Sequence, residues 1–244
     1  TNFQVQINHP YKTINSHPKI DSVLVELAQA ALISEADAVS LAQNRNLSMH
    51  NGKVQIQITY STGQEIHAKN TVHNLGGQIS GRSSNGEHLQ AWLPPQALLH
   101  LADYESVAYI QSPAQVIISA EPMTLDTTSE GLAVMNATAW HAAGLRGGGV
   151  KVAIVDAGFS DYSDLLGSEL PSWVTVRNFV DDENELDVSG TTNHGTAVAE
   201  IIYDIAPQAS LYLVKVNTPI DLEEAVDWLI IQDVDVINTS VGWF

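Results

Sequence analysis

The sequence of 244 residues contains no cysteine, which excludes disulfides, thiolate metal sites and a cysteine nucleophile. It also has no run of about 18 consecutive apolar residues, the length that a membrane-spanning helix needs. No charged start followed by an apolar stretch precedes Thr1, so we expect any signal peptide to have been removed or left out. Stability must therefore come from packing, supplemented by any bound ions.

Basic residues are scarce as well. Ten Lys and Arg stand against 28 Asp and Glu, which gives a net charge of −18. A field of this sign repels nucleic acid phosphates and anionic membrane surfaces. Apolar residues make up 44% of the chain, enough for a sizeable core. We therefore expect a globular protein with no nucleic acid partner and no membrane span.

The chain divides by pattern into four regions. Residues 1–50 form an N-terminal helical region, with one amphipathic helix behind Asp21 and a second that starts with a capping box at Ser34 and Asp37. Residues 51–112 predict the order β-α-β-β-α-β, which makes a small antiparallel sheet with two helices on one face. Residues 113–129 show neither the helical nor the strand periodicity of apolar residues and are predicted to form a linker. The fourth region is residues 130–244.

Residues 130–244 change to a parallel α/β pattern, in which right-handed crossovers place the strands in one sheet. The predicted elements are helices near 132–140, at 194–205 and at 222–231, and strands at 150–155, 211–216 and 234–238.

Asp156 follows the most apolar of these strands directly. Parallel sheets bind ligands at the carboxyl ends of their strands, so Asp156 stands where a functional carboxylate would lie. The opposing interpretation is that Asp156 only caps the next turn, which aspartate often does. Gly158 allows the chain to turn under either interpretation.

His194 stands at the start of a predicted helix, on which Val198 and Ile201 belong to the buried stripe. A lone histidine is more often a structural residue than a catalyst. Its pairing with Asp156 in the same sheet arrangement strengthens the functional interpretation.

Together, the strand ending in Asp-Ala-Gly and the His-Gly-Thr helix that follows resemble the first two signatures of the subtilisin-like serine proteases (the subtilase family). A third segment, from Val234 to Gly242, is similar to the family's strand whose open edge pairs with extended substrate. The resemblance implies an α/β fold with a parallel subtilisin-like sheet. It also implies that Asp156 orients the histidine, that His194 acts as the base, and that Ser240, Val241 and Gly242 bind a peptide or protein substrate.

The family's chain order places the catalytic serine well after the histidine, whereas only 50 residues follow His194. Ser210 and Ser240 lie in or next to predicted strands and lack the family's Gly-Thr-Ser setting. We therefore expect the serine to lie beyond this sequence and the 244 residues alone to be inactive.

Residues 51–112 resemble the family's propeptide, a small α+β ferredoxin-like domain, and the linker would then cross the cleft. A secreted or cell-envelope location follows from the same analogy.

The resemblance implies no required cofactor. The acidic stretch at 181–187 could hold calcium, or could be a solvated loop. No His-Glu-x-x-His spacing supports a metalloprotease. A dinucleotide-binding domain is disfavoured, because the glycines at 147–149 precede the strand instead of following it. A noncatalytic protease-like module that binds peptides or regulates remains open.

Overall fold

The structure, a computed structural model, describes residues 16–118, 131–180 and 184–243. Tertiary contacts divide the chain into two units, residues 1–113 and 114–244, referred to below as the first and the second unit. Most of the predicted linker and part of the acidic stretch, residues 181–183, lie outside the described residues. No helix in the described ranges is long and apolar enough to cross a bilayer.

The first unit alternates helices and short strands. In chain order these are α1 (Ser22–Ile33), α2 (Glu35–Asn44), β1 (Met49–His50), β2 (Lys53–Tyr60), α3 (Glu65–Asn74), β3 (Gln78–Arg82), β4 (His88–Leu93), α4 (Leu98–Ala102) and β5 (Val107–Gln111).

Strand β2 lies at the centre of an antiparallel sheet. One of its edges pairs with β4, which pairs in turn with β3, while the other edge pairs with β1 at one end and β5 at the other. The alternation of the sequence explains the packing, because Val54, Ile56 and Ile58 are fully buried in the core. Ser34 caps α2 by accepting a hydrogen bond from the Asp37 N–H, which is one of the two bonds of the predicted capping box; the Ser34 N–H donates to the Ala30 carbonyl instead.

The second unit is built on parallel strands. Its elements are α5 (Gly131–Val134), α6 (Ala137–Ala142), β6 (Lys151–Asp156), β7 (Thr175–Asn178), α7 (His194–Ile205), β8 (Ser210–Lys215), α8 (Pro219–Ile231) and β9 (Val236–Thr239). The four strands form one parallel sheet in the order β7-β8-β6-β9.

Strand β6 is buried on both faces, as its continuous apolar run predicts. Val152 and Ile154 belong to one apolar cluster, which includes Ala199 of α7. Ala153 and Val155 belong to another, which includes Leu229 of α8. The two helices thus hold β6 in place, and its carboxyl end carries Asp156.

Several details differ from the sequence expectations, among them the burial on α7, where Val198 and Ile201 of the expected buried stripe are only half-buried. The helix expected near 132–140 is interrupted at Asn136, whose φ of 56° breaks the helical path between α5 and α6. Helix α8 begins at Pro219, earlier than the expected residue 222. Strand β7 was not predicted from the sequence.

Candidate active site

Asp156 is the last residue of β6 and has no exposed surface. Its Oδ1 accepts a hydrogen bond from the Ala157 N–H at 2.8 Å. Burial raises the pKa of this carboxyl, while the His194 ring and the backbone N–H groups of Ala157 and Gly158 oppose the rise. These three groups therefore favour the charged form of the Asp156 carboxyl, against the effect of burial.

His194 is the first residue of α7 and meets Asp156 at the edge of the sheet. Its Nδ1 lies 2.8 Å from Asp156 Oδ2, and the side chain is only 11% exposed. The His194 N–H also donates to Thr192 Oγ1 at 3.1 Å, which fixes the start of the helix. The structure thus brings together two residues that stand 38 positions apart in the sequence.

Gly195 makes this close approach sterically feasible. A Cβ at this position would lie 2.7 Å from the Gly158 carbonyl oxygen and 2.8 Å from Asp156 Cβ. The Gly195 N–H donates to that same carbonyl at 3.1 Å. Only glycine lets α7 start this close to the segment after β6.

Ser160 and Thr196 also join the chain after β6 to the start of α7, and neither residue was identified from the sequence. The Ser160 N–H donates to the Thr192 carbonyl at 3.0 Å. The hydroxyl of Thr196, which is fully buried, donates to the Ser160 carbonyl at 2.8 Å. Thr196 belongs to the His-Gly-Thr run, so the motif already contained the signal for this residue.

The predicted substrate residues follow β9. Gly242 forms an antiparallel bridge with Ile117, in which the Ile117 N–H donates to the Gly242 carbonyl at 2.8 Å and the Gly242 N–H donates back at 3.1 Å. Ser240 Oγ accepts a hydrogen bond from the Asn238 side chain at 3.0 Å. Within the described ranges, no hydrogen bond joins Ser240, Val241 or Gly242 to the Asp156–His194 pair.

The acidic stretch is only partly described. Glu185 forms an ion pair with Arg177, and Asp187 is bonded to Ser189, whose hydroxyl lowers the pKa of Asp187. In the described part of the chain, no group of three or more histidine and acidic side chains could hold a metal ion.

The geometry thus gives a parallel α/β sheet that carries a buried carboxylate bonded to an imidazole at a helix start. Residues 147–243 match the model of the subtilase family (peptidase S8). The chain is 29% identical to Subtilisin E from Bacillus subtilis (strain 168) over 203 residues, which covers 75% of this chain and 49% of that protein. It is 34% identical over 119 residues to the Minor extracellular protease Epr of the same organism, covering 43% of this chain and 17% of Epr.

The fold comparison agrees. A crystal structure of a mutant of the epidermin leader peptide processing serine protease (EpiP) from Staphylococcus aureus matches with a TM-score of 0.52 at 15% identity, covering 79% of this chain and 51% of that one. The chain spans about half the length of the curated relatives it matches. Over residues 147–243 the chain is therefore similar to the subtilase family of serine proteases.

Proposed function

We propose that this chain is part of a serine endopeptidase that hydrolyses peptide bonds through an Asp-His-Ser triad. The observation that carries the proposal is the 2.8 Å contact between the buried Asp156 carboxylate and His194 Nδ1. With the Nδ1 proton donated to Asp156, the other ring nitrogen is left to accept a proton from a serine hydroxyl. Asp156 orients the ring and stabilises its charged form, and His194 later returns the proton to the leaving amine.

The nucleophile in this proposal is a serine outside the 244 residues. Ser210 pairs with Lys151 at the amino end of β6, whereas Asp156 lies at the carboxyl end, about 16 Å away along the strand. No serine hydroxyl of the described residues hydrogen-bonds to the His194 ring. We therefore expect the 244 residues alone not to hydrolyse peptides, since removal of the serine from a subtilisin lowers turnover by about 10⁶-fold.

The exposed edge of β9 supports the presence of further chain in the intact protein. Val236 and Ile237 are 49% and 39% exposed on this edge strand. Apolar edges of this kind are usually covered in native proteins.

The region of residues 51–112, within the first unit, is the proposed propeptide domain. Its strand order gives the β-α-β-β-α-β arrangement expected of the small ferredoxin-like domain. The alignment with Subtilisin E covers 75% of the chain, which is more than the second unit contains, so it extends into the first unit. Because Epr is named as extracellular, we propose a secreted or cell-envelope location.

A noncatalytic peptide-binding module is the second candidate. The observation in its favour is the Ile117–Gly242 pairing, because this contact with an extended segment needs no catalytic serine. In this alternative the substrate edge would serve recognition alone.

The test is to sequence the gene past codon 244 and to treat the full product with a fluorophosphonate, which labels active serines. We expect a Gly-Thr-Ser element that becomes labelled, with labelling lost in His194→Ala. His141→Ala is the matched control, because His141 belongs to the same unit and its ring lies against the Ile205 carbonyl, and it should label normally. A stop codon at 245, or a folded full product that does not label, would favour the binding module.

A further inference from the structure

Residues 115–117 lie in a gap between the chain after β8 and the chain after β9. On one side Ile117 exchanges two backbone hydrogen bonds with Gly242. On the other side the Val116 N–H donates to the Asn217 carbonyl at 2.8 Å. The segment is therefore held by backbone bonds from both sides, as an extended peptide ligand would be.

Asn217 is fixed in place by the start of α8. Both its N–H and that of Thr218 donate to Asp221 Oδ2, at 3.0 and 2.9 Å, and Asp221 is only 1% exposed. The indole N–H of Trp243 donates to the Asn217 carbonyl at 3.0 Å, beside the bond from Val116. The backbone of Asn217 is thus a rigid part of the site.

The Asn217 side chain makes a different kind of contact. Its Nδ2 donates a hydrogen bond to the side-chain oxygen of Gln115. Backbone bonds at Val116 and Ile117 are the same for any sequence, whereas this bond depends on the identity of the side chain. It therefore provides a means of selecting one residue type.

We propose that Asn217 is a specificity-determining residue, which selects a carboxamide side chain in bound peptides two residues before the residue that pairs with Gly242. The inference rests on the proposed peptidase function, because residues 115–117 are taken to occupy the place of substrate. The oxygen of an uncharged carboxamide accepts the hydrogen bond from Asn217 Nδ2, whereas a methionine at the same position cannot form this bond. A net hydrogen bond of this kind is worth about 2- to 10-fold in affinity.

The excess of acidic residues in the second unit explains why an uncharged side chain, that of Asn217, suits this position. Asn217 and Asp221 are adjacent through their hydrogen bond, and the unit carries 20 acidic and 4 basic residues. A glutamate in the peptide would meet a negative field, so we expect it to bind less well than glutamine.

The first experiment needs no catalysis. Backbone hydrogen exchange at Val116 and Ile117 is measured in the 244-residue chain and in Gln115→Met, Asn217→Leu and the double variant. We expect each single variant to lose about 2- to 10-fold of its protection, and the double variant to lose no more than either single one. Gln115→Glu is the control that keeps an oxygen to accept the hydrogen bond from Asn217 Nδ2, and it should retain more of the protection than Gln115→Met. Unchanged exchange in both single variants, or losses that add in the double variant, would overturn the inference.

The second experiment uses the full gene product after fluorophosphonate labelling has confirmed an active serine. Peptides that differ only by Gln, Met or Glu at the selected position are compared by kcat/KM. We expect Gln to exceed Met by about 2- to 10-fold, with the difference in KM, and Asn217→Leu to abolish the preference. Equal rates for Gln and Met peptides with a labelled enzyme would overturn the inference. A product that does not label would instead count against the peptidase proposal, and the exchange experiment would still decide the role of Asn217.

Discussion

The two units bury polar groups of different kinds. In the described part of the first unit, the buried polar residues are all uncharged: Gln55, Thr71, Ser83, Gln90 and Ser106. The second unit buries the three carboxyl groups of Asp156, Glu200 and Asp221. Because a buried carboxylate is costly unless it is bonded, Asp156 and Asp221 each mark a place where the fold commits hydrogen-bond donors to the carboxylate.

The overall charge differs in the same way. The first unit has 8 acidic and 6 basic residues, while the second has 20 and 4. The basic side chains of the second unit are all engaged: Lys151, Lys215 and Arg146 donate to carbonyl groups, and Arg177 pairs with Glu185. In the described residues, the buried carboxyl groups therefore lie in the same unit as the excess of acidic residues and the Asp156–His194 pair.

Among the substitutions that bear on the comparison of the two units, Asp156→Asn in the full product has the largest expected effect. It should lower kcat/KM by about 10⁴-fold, because the amide holds the neutral His194 ring in the wrong tautomer. Peptide hydrolysis measures this effect. A loss smaller than tenfold would remove Asp156 from the catalytic role.

The same variant should change the pH dependence of folding. Burial raises the Asp156 pKa, so between the ordinary and the raised value the folded chain binds more protons than the unfolded chain. Wild-type stability therefore falls as the pH rises through that window, and Asp156→Asn should remove this contribution. Urea unfolding across the acidic range would show it. An unchanged pH profile in the variant would contradict the assignment.

Next come two crowded glycines, one in each unit. A Cβ at Gly77 or at Gly195 would lie 2.7 Å from its nearest neighbour. We expect Gly77→Ala and Gly195→Ala each to lower the free energy of unfolding by about 1–3 kcal/mol. Only Gly195→Ala should also disturb the Asp156–His194 contact and reduce kcat/KM.

Gly190→Ala is the control for these substitutions, since its Cβ would be no closer than 3.4 Å to any neighbour. Urea unfolding and kcat/KM are measured for all three variants. Unchanged stability in Gly195→Ala would show that the start of α7 lies farther from Gly158 and Asp156 than the structure shows.

The helix caps should also differ between the units. Ser34 caps α2 at an exposed position, whereas Thr218, which caps α8, is fully buried. We expect Thr218→Ala to lower the free energy of unfolding by about 2 kcal/mol and Ser34→Ala by about 0.5 kcal/mol. Equal losses, measured by urea unfolding, would mean that burial does not strengthen the α8 cap.

The smallest expected effect is that of salt. Screening should relieve the self-repulsion of the second unit and leave the nearly balanced first unit unchanged. Hydrogen exchange is followed on peptides from each unit in low and high sodium chloride. High salt should slow exchange only in the second unit, by a factor that corresponds to about 1 kcal/mol or less of added stability. Equal slowing in both units would show that the difference in charge has no bearing on stability.

Local patterns made much of the fold predictable. The strict alternation around Val54 gave β2, and the apolar stripe behind His194 gave α7, which spans His194–Ile205 as expected. The start of α8 could also have been found, because Thr218, Pro219 and Asp221 form a capping box with proline at the first helical position.

Long-range contacts were beyond the reach of these patterns. Gln115 and Asn217 stand 102 positions apart, and neither lies in a periodic segment. Strand β7 has only four residues, mostly half-buried, which is too short for a period to show. The Asp156–His194 pair was found because both residues stand in recognisable motifs at the ends of predicted elements.

The most direct test of the central claim is kcat/KM for peptide hydrolysis by the full product, compared with His194→Ala and His141→Ala. If His194 is the base of the triad, its removal should lower kcat/KM by about 10⁶-fold while the His141 variant stays within a few fold of the wild type. Activity in His194→Ala within tenfold of the wild type would contradict the assignment of Asp156 and His194 to catalysis.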